Sequence, residues 1–236
     1  SSSTGVCVFA KNKKTAAAIN FALRHGLVEK SYVCLTQDTV LIPRGLLQHA
    51  FRTGGKLHRD AKPTLLRQHD EELLANDPHW KLAALVVEDS RLVSGACIRR
   101  GLARLASGGL FSHSDSYSNN NPFSLSYLLD NNDTLPAMNE VKVRLLTGRT
   151  HQIRLQLCAV GAPILGDTRY AKVAGMLDSS DSTACTNSQM DESLALPMGP
   201  QPVLCALHCS RMHIPAGVVP GLPEGLTGLA APWWQN

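Results

Sequence analysis

The sequence predicts an α+β fold, and three stretches carry that prediction. Residues 5–35 read as strand, helix, strand; residues 140–160 read as an alternating strand, a tight turn and a helix; residues 203–214 read as a closing strand pair or one bent strand. Elements of both kinds, spread through the chain without any internal repeat, exclude an all-helical bundle and a repeat array.

Taken in order, residues 5–10 form a short β-branched and aromatic run suited to a buried strand. Residues 13–24 place Ala17, Phe21 and Leu23 among the apolar positions of an amphipathic helix, which Gly26 stops. Residues 30–35 alternate as a strand, with Tyr32 and Cys34 on one face. From 43 to 78 the pattern is irregular and polar, with a basic stretch of Arg52, Lys56, His58, Arg59, Lys62 and Arg67. That stretch suits a phosphate backbone and a solvated surface loop about equally. Residues 81–87 resume a strand. The segments at about 107–136, rich in Ser, Asn and Asp, and at about 173–200, rich in Ser, Asp and Met, lack core residues and read as loop insertions. Between them, residues 140–146 alternate as a strand, Thr147-Gly148 turns it, and 150–160 form a helix ended by Gly161.

A chain of 236 residues buries a core without staples, and the reading is a single domain over 1–236. The net charge of +4 permits a polyanionic partner without demanding one. Seven scattered cysteines, an odd number, point to a reducing compartment. Cys205, His208, Cys209 and His213 crowd one short stretch with no second knuckle, so they read as a strand with a histidine and no metal is expected. No apolar run approaches the roughly 18 residues of a membrane span, and the chain reads as soluble without a membrane partner. Ser1 to Gly5 passes directly into Val6 to Ala10 with no initiator methionine, which reads as a chain cut within a domain.

The densest signal is residues 146–155, Leu-Thr-Gly-Arg-Thr-His-Gln-Ile-Arg-Leu, followed by Gly161 to Asp167 and Tyr170. Gly148 permits a tight turn and Thr150 is a candidate N-cap, so free amides and a positive dipole end face an anion site to which Arg149 adds charge. His151 and Arg154, three apart, share a helical face, and Arg154 is placed to fork onto a carboxylate or phosphate. The same residues also fit a capped structural helix with a surface ion pair.

This string resembles the signature of RluA-type RNA pseudouridine synthases, a Gly-Arg-Thr-His-Gln-Ile-Arg element followed by a Gly-His-Pro-Ile-Leu-Gly-Asp-like turn. Three further stretches resemble the family in its chain order: Ser3 to Lys11 the segment after its catalytic aspartate, Lys30-Ser31-Tyr32 its Lys-x-Tyr element, and Leu207-His208-Cys209 its Leu-His-Ala strand. Ala231-Pro232-Trp233-Trp234 is similar to the end of some plant-type members. The resemblance implies the pseudouridine synthase catalytic fold, a mixed and mostly antiparallel sheet flanked by helices and loops. It implies isomerisation of uridine in tRNA or rRNA without a cofactor, on a structured RNA whose target base is flipped out, by a monomer. The family's nucleophilic aspartate falls immediately before Ser1. His58-Arg59-Asp60 lies after the tyrosine element and is read as a decoy. Arg154 then matches the arginine that keeps the aspartate ionised, and Tyr32 the tyrosine that stacks on uracil and helps remove its C5 proton. Gly148, Arg149, Thr150, His151 and Gln152 match substrate-binding positions, and Leu155 an apolar wall. Two other classes stand beside this: a noncatalytic RNA-binding protein that keeps the fold without the aspartate, and an unrelated hydrolase using His151 or His208, for which no nucleophile elbow is visible.

Overall fold

A computed structural model describes residues 2–36, 41–52, 65–107, 135–167, 170, 204–219 and 224–235. Its elements are β1 (Ser2–Gly5), α1 (Lys13–Arg24), β2 (Glu29–Thr36), β3 (Gly45–Arg52), β4 (Leu65–Gln68), α2 (Glu71–Asn76), β5 (Trp80–Val93), α3 (Gly95–Ser107), β6 (Met138–Leu145), α4 (Gln152–Ala159), β7 (Leu204–Ile214) and β8 (Leu226–Leu229). The strands form one sheet in the order β1-β7-β2-β6-β5-β3-β4, with β8 also on β7. Among the described residues only the β1–β7 pair is parallel, so the sheet is mixed and mostly antiparallel, with helices against it: the α+β class read from the sequence.

Local chemistry explains the agreements. Asn12 caps α1 by accepting from the Thr15 amide at 2.8 Å, and Gly26, at φ 69°, ends it. Its inner face packs Ala18, Ile19, Ala22 and Leu23 against Met212, Ile214, Val218 and Val219. Tyr32 faces Val143 and Cys209 across the ladders while Cys34 faces Val141 and Leu207, which puts both side chains on one sheet face as the alternation requires. Residues 204–214 form one strand with a register shift opposite Ser31 and Tyr32.

Four expectations are corrected. The first strand is Ser2–Gly5, not 5–10: Gly5 adopts φ 119° against the Cys209 backbone, where a side chain would collide, and the chain leaves the ladder after the Val6 amide bonds the Cys209 carbonyl at 2.9 Å. Phe9, expected inside, is 89% exposed. The stretch 43–78 holds β3, β4 and α2; the consecutive residues His49, Ala50 and Phe51 are all buried because both faces of β3 are covered there, which erases the alternation that marks a strand. Helix α3 was not expected at all, although Ile98 and Leu102, one turn apart, are both fully buried in the main core with Met138 and Trp234. The last helix starts at Gln152, two residues after the expected Thr150 cap. The decoy Asp60, Lys56, His58, Arg59 and Lys62 lie outside the described residues, as does most of the two insertions.

The main core has two sides. On one, α4 lies over His49, Ala83 and Leu85, positions that the ladder registers place on the face of Tyr32 and Lys30. On the other, α3 and the C-terminal tryptophans close over Leu35 and Glu140, whose buried carboxylate accepts from Trp234 Nε1 at 2.6 Å, Gln235 Nε2 at 2.7 Å and Arg91 Nε at 2.7 Å. Each fully buried Leu, Ile or Phe in such a core contributes about 1.5–3 kcal/mol.

Candidate active site

The signature string forms a bracket built on the backbone of Ala84 in β5. The Ala84 carbonyl accepts from the Leu146 and Thr147 amides at 3.1 Å each and from Gln152 Nε2 at 3.1 Å, and its amide donates to Thr147 Oγ1 at 2.9 Å. Gln152 is the hub. Its Oε1 accepts from Thr147 Oγ1 at 2.9 Å and from the Arg149 amide at 3.0 Å, while Nε2 also donates to Gln156 Oε1 at 2.9 Å. Gln156 passes the chain on, donating to His49 Nδ1 at 3.0 Å and to the Ala83 carbonyl at 3.2 Å. Burial depresses His49 to about 4, so its Nδ1 is a neutral acceptor.

This network explains where α4 begins. With the Gln152 side chain already holding the Arg149 amide, Thr150 is exposed and His151 takes the cap position in the left-handed conformation, φ 58° and ψ 20°, without a side-chain cap bond. A non-glycine residue there is strained and is held by its surroundings. His151 Nδ1 lies 2.9 Å from Tyr170 Oη, which supplies part of that hold.

Arg154, nearly one turn on, forks onto a carboxylate, one of the two anions its position suggested. The partner is Asp167: Nε donates to Oδ2 at 2.7 Å and Nη2 to Oδ1 at 2.6 Å, with the two side chains 12% and 1% exposed. Its guanidinium stands 4.9 Å from the Tyr170 ring centroid, and the Tyr170 amide donates to Asp167 Oδ1 at 3.2 Å. Burial works against the Arg154 charge, but the Asp167 bonds and charge outweigh it and hold the guanidinium above its ordinary pKa. His151 and Arg154 do share a face, since both meet Tyr170.

Arg154 and Asp167 both act on the Cys205 thiol, which burial first and the Asp167 charge second push up to about 12. Cys205 adjoins Leu204, the β7 partner of Ser2. The start of β1 therefore lies beside the strand position that the Arg154 pair reaches. Tyr32 is on the same sheet face but further along β7, opposite Cys209, four residues or roughly 13 Å from Cys205. Burial, then the Cys209 thiol bonded to it, raise the Tyr32 phenol above its ordinary value, so it is neutral. Lys30, on the same face, has its pKa lowered by burial and sits under the bracket: a Cβ on Gly148 would come 3.1 Å from its Nζ.

The arrangement thus joins Arg154, His151, Asp167 and Tyr170 at one end of a floor formed by this sheet face and Tyr32, Lys30 and Cys209 at the other, with Gly148, Arg149 and Thr150 exposed. Arg149 Nε donates to the Leu82 carbonyl at 3.3 Å. Leu155 is fully buried with Phe51 and Ala83, turned into the core. Cys205 and Cys209 share that floor, whereas His208 is on the opposite face, bonded to Thr4 Oγ1 at 2.8 Å. Asp167, Tyr170 and Lys30 are the residues to which sequence reasoning gave no role. Two of them stand in the quoted Gly-Asp turn and its following tyrosine, and the third in the Lys-x-Tyr element.

A rice protein (Oryza sativa subsp. japonica), "RNA pseudouridine synthase 6, chloroplastic", is 26% identical over 176 residues, covering 73% of this chain and 29% of its own length. Its Arabidopsis thaliana namesake is 57% identical over 35 residues, 15% of this chain and 7% of that protein. The chain therefore spans less than a third of the curated relatives it matches. Among solved structures, "Human RNA Pseudouridylate Synthase Domain Containing 1" aligns with 94% of this chain and 62% of that one at 19% identity and a TM-score of 0.46. The sequence profile of the RNA pseudouridylate synthases matches residues 1–159, a span that contains Tyr32, the bracket and Arg154, and by that match the chain belongs to the RNA pseudouridylate synthase family.

Proposed function

We propose that this chain forms the catalytic floor of an enzyme that isomerises uridine to pseudouridine in RNA, with no cofactor. The observation that carries the reading is the Arg154–Asp167 fork, which is buried, backed by Tyr170, and adjacent to the strand position facing the start of β1.

The reaction breaks the bond from C1′ to N1, turns the uracil and joins C5 to C1′. It requires an ionised carboxylate at C1′, and a carboxylate in a dry pocket tends to take up a proton unless a cation adjoins it. Asp167 occupies one edge of the Arg154 guanidinium through Nε and Nη2. The edge that includes Nη1 is left for a second carboxylate, which we assign to an aspartate preceding Ser1. Asp167 is then a positioning residue that fixes the plane of the fork. Tyr32 stacks on the uracil, and its neutral hydroxyl relays the C5 proton in the last step. Arg149 and Lys30 hold phosphates on either side of the flipped nucleotide, and Gln152 acts through the bracket by fixing Arg149.

A second reading is favoured by the same fork: with Asp167 filling the first edge of Arg154, the guanidinium charge is already compensated without a further carboxylate, and the fold acts on RNA without turnover. The test is release of tritium from RNA labelled at uridine C5, comparing the chain with a form extended by an aspartate before Ser1. Release by the extended form alone supports the enzyme. Binding of the transcript by both forms with release by neither supports the binder.

A further inference from the structure

The whole net charge of the protein resides in its first 28 residues. Lys11, Lys13, Lys14 and Arg24 face no Asp or Glu before Glu29, and the remaining 19 cations are matched by 19 acids. All four are exposed, and none is ion-paired among the described residues. On α1, Lys13, Lys14, Ala17, Phe21 and Arg24 follow one another at helical spacing and form a single outward stripe. The apolar face of α1 is already used against Ile214 and Val219.

Two aromatic side chains interrupt the cations. Phe21 is 55% exposed and stacks on the His25 ring at 3.9 Å between centroids, 28° between planes, and His25 Nδ1 bonds the Phe21 carbonyl at 2.8 Å. Phe9, just ahead of the helix, is 89% exposed. Unpaired cations that alternate with solvent-facing rings are the two components of a single-strand site, one for the backbone and one for the bases. A protein partner calls for a continuous apolar patch, and a membrane surface calls for a free apolar helix face; α1 presents neither. Because α1 packs on Met212, the ladder partner of Lys30, the helix that carries the stripe stands beside the Lys30 end of the floor.

We propose that the stripe from Phe9 and Lys11 to Arg24 and His25 binds single-stranded RNA flanking the modified uridine, an inference that rests on the RNA-acting function above. The test is fluorescence anisotropy of the full chain with a labelled uridine-rich strand of about 12 nucleotides, titrated between about 50 and 200 mM salt. The variant Lys13→Ala/Lys14→Ala/Arg24→Ala is expected to lower affinity and flatten the slope of log K against log salt by about 2, at about 0.7 for each lost phosphate contact. Phe21→Ala is expected to weaken binding about tenfold with the slope unchanged. Arg44→Ala, on β3's approach, is expected to do neither. Retained affinity and slope in the stripe variants, with the unaltered chain binding normally, overturns this inference alone. Failure of the unaltered chain to bind overturns both this inference and the function it rests on. Preference for phosphatidylserine vesicles over the oligonucleotide also overturns it, assigning the stripe to a membrane surface.

Discussion

Arg154 and Asp167 are joined by two hydrogen bonds of 2.7 and 2.6 Å, thirteen residues apart in sequence, at a site where Asp167 is 1% exposed. A pair this deep stands or falls together, because either partner alone would be a buried charge without compensation.

Replacing Asp167 therefore has two separable effects. Asp167→Ala is expected to lower stability by about 3–5 kcal/mol, measured by urea unfolding. Asp167→Asn keeps one acceptor for Arg154 and is expected to fold, but to lower kcat about 100-fold with KM little changed. A rise in KM with kcat preserved would place Asp167 in substrate binding instead of positioning.

Arg154→Lys tests the fork as distinct from the charge. A lysine ammonium cannot span both Asp167 oxygens and a second carboxylate, so turnover is expected to fall nearly as far as in Arg154→Ala. Recovery of most of the activity with lysine would show that charge alone suffices.

Stacking and proton relay separate at Tyr32. Tyr32→Phe is expected to keep RNA affinity and lose about 10²–10⁴ in turnover, whereas Tyr32→Ala also loses affinity. Burial holds the phenol above its usual pKa, so the rate is expected to show no alkaline limb at ordinary tyrosine values. A limb near pH 10 would mean that Tyr32 titrates as a solvated phenol.

Stability should depend on pH through His49. Its folded pKa of about 4 is below the ordinary 6.5, so the unfolded chain takes up the proton first as pH falls. The contribution is full above pH 6.5 and is lost between 6.5 and about 4, amounting to about 3 kcal/mol by linkage. His49→Gln should flatten that part of the curve in a pH series of urea melts; an unchanged curve would assign the dependence elsewhere.

What the sequence revealed, and what it hid, follows from the range of the forces involved. The bounds of α1 were legible because its apolar spacing and its stop, Gly26, are local signals; its cap, Asn12, is as local and went unread. Arg154 was legible as a fork for a carboxylate or a phosphate because it sits in a dense string. Its partner was not, since the choice of Asp167 depends on how the turn at 161–167 packs over α4, which no local pattern encodes. The Thr150 cap failed for a related reason: Gln152 satisfies the bracket from within the helix, and that competition is visible only when Ala84 of β5 is in place. Strand β3 was missed because burial on both faces removes alternation, while α3 carried its signal in Ile98 and Leu102 and went unread. The profile of Phe9 was misread because an apolar run implies burial only when something covers it.

Turnover in the proposed mechanism depends on the guanidinium of Arg154 sustaining a reacting carboxylate. The most direct measurement is carbodiimide mapping of pseudouridine in RNA treated with the chain bearing an aspartate before Ser1, and with the same protein carrying Arg154→Ala. Mass-neutral conversion of uridine is expected from the first and none from the second, with RNA affinity and urea midpoint of both measured alongside. Equal conversion by the two would contradict that dependence.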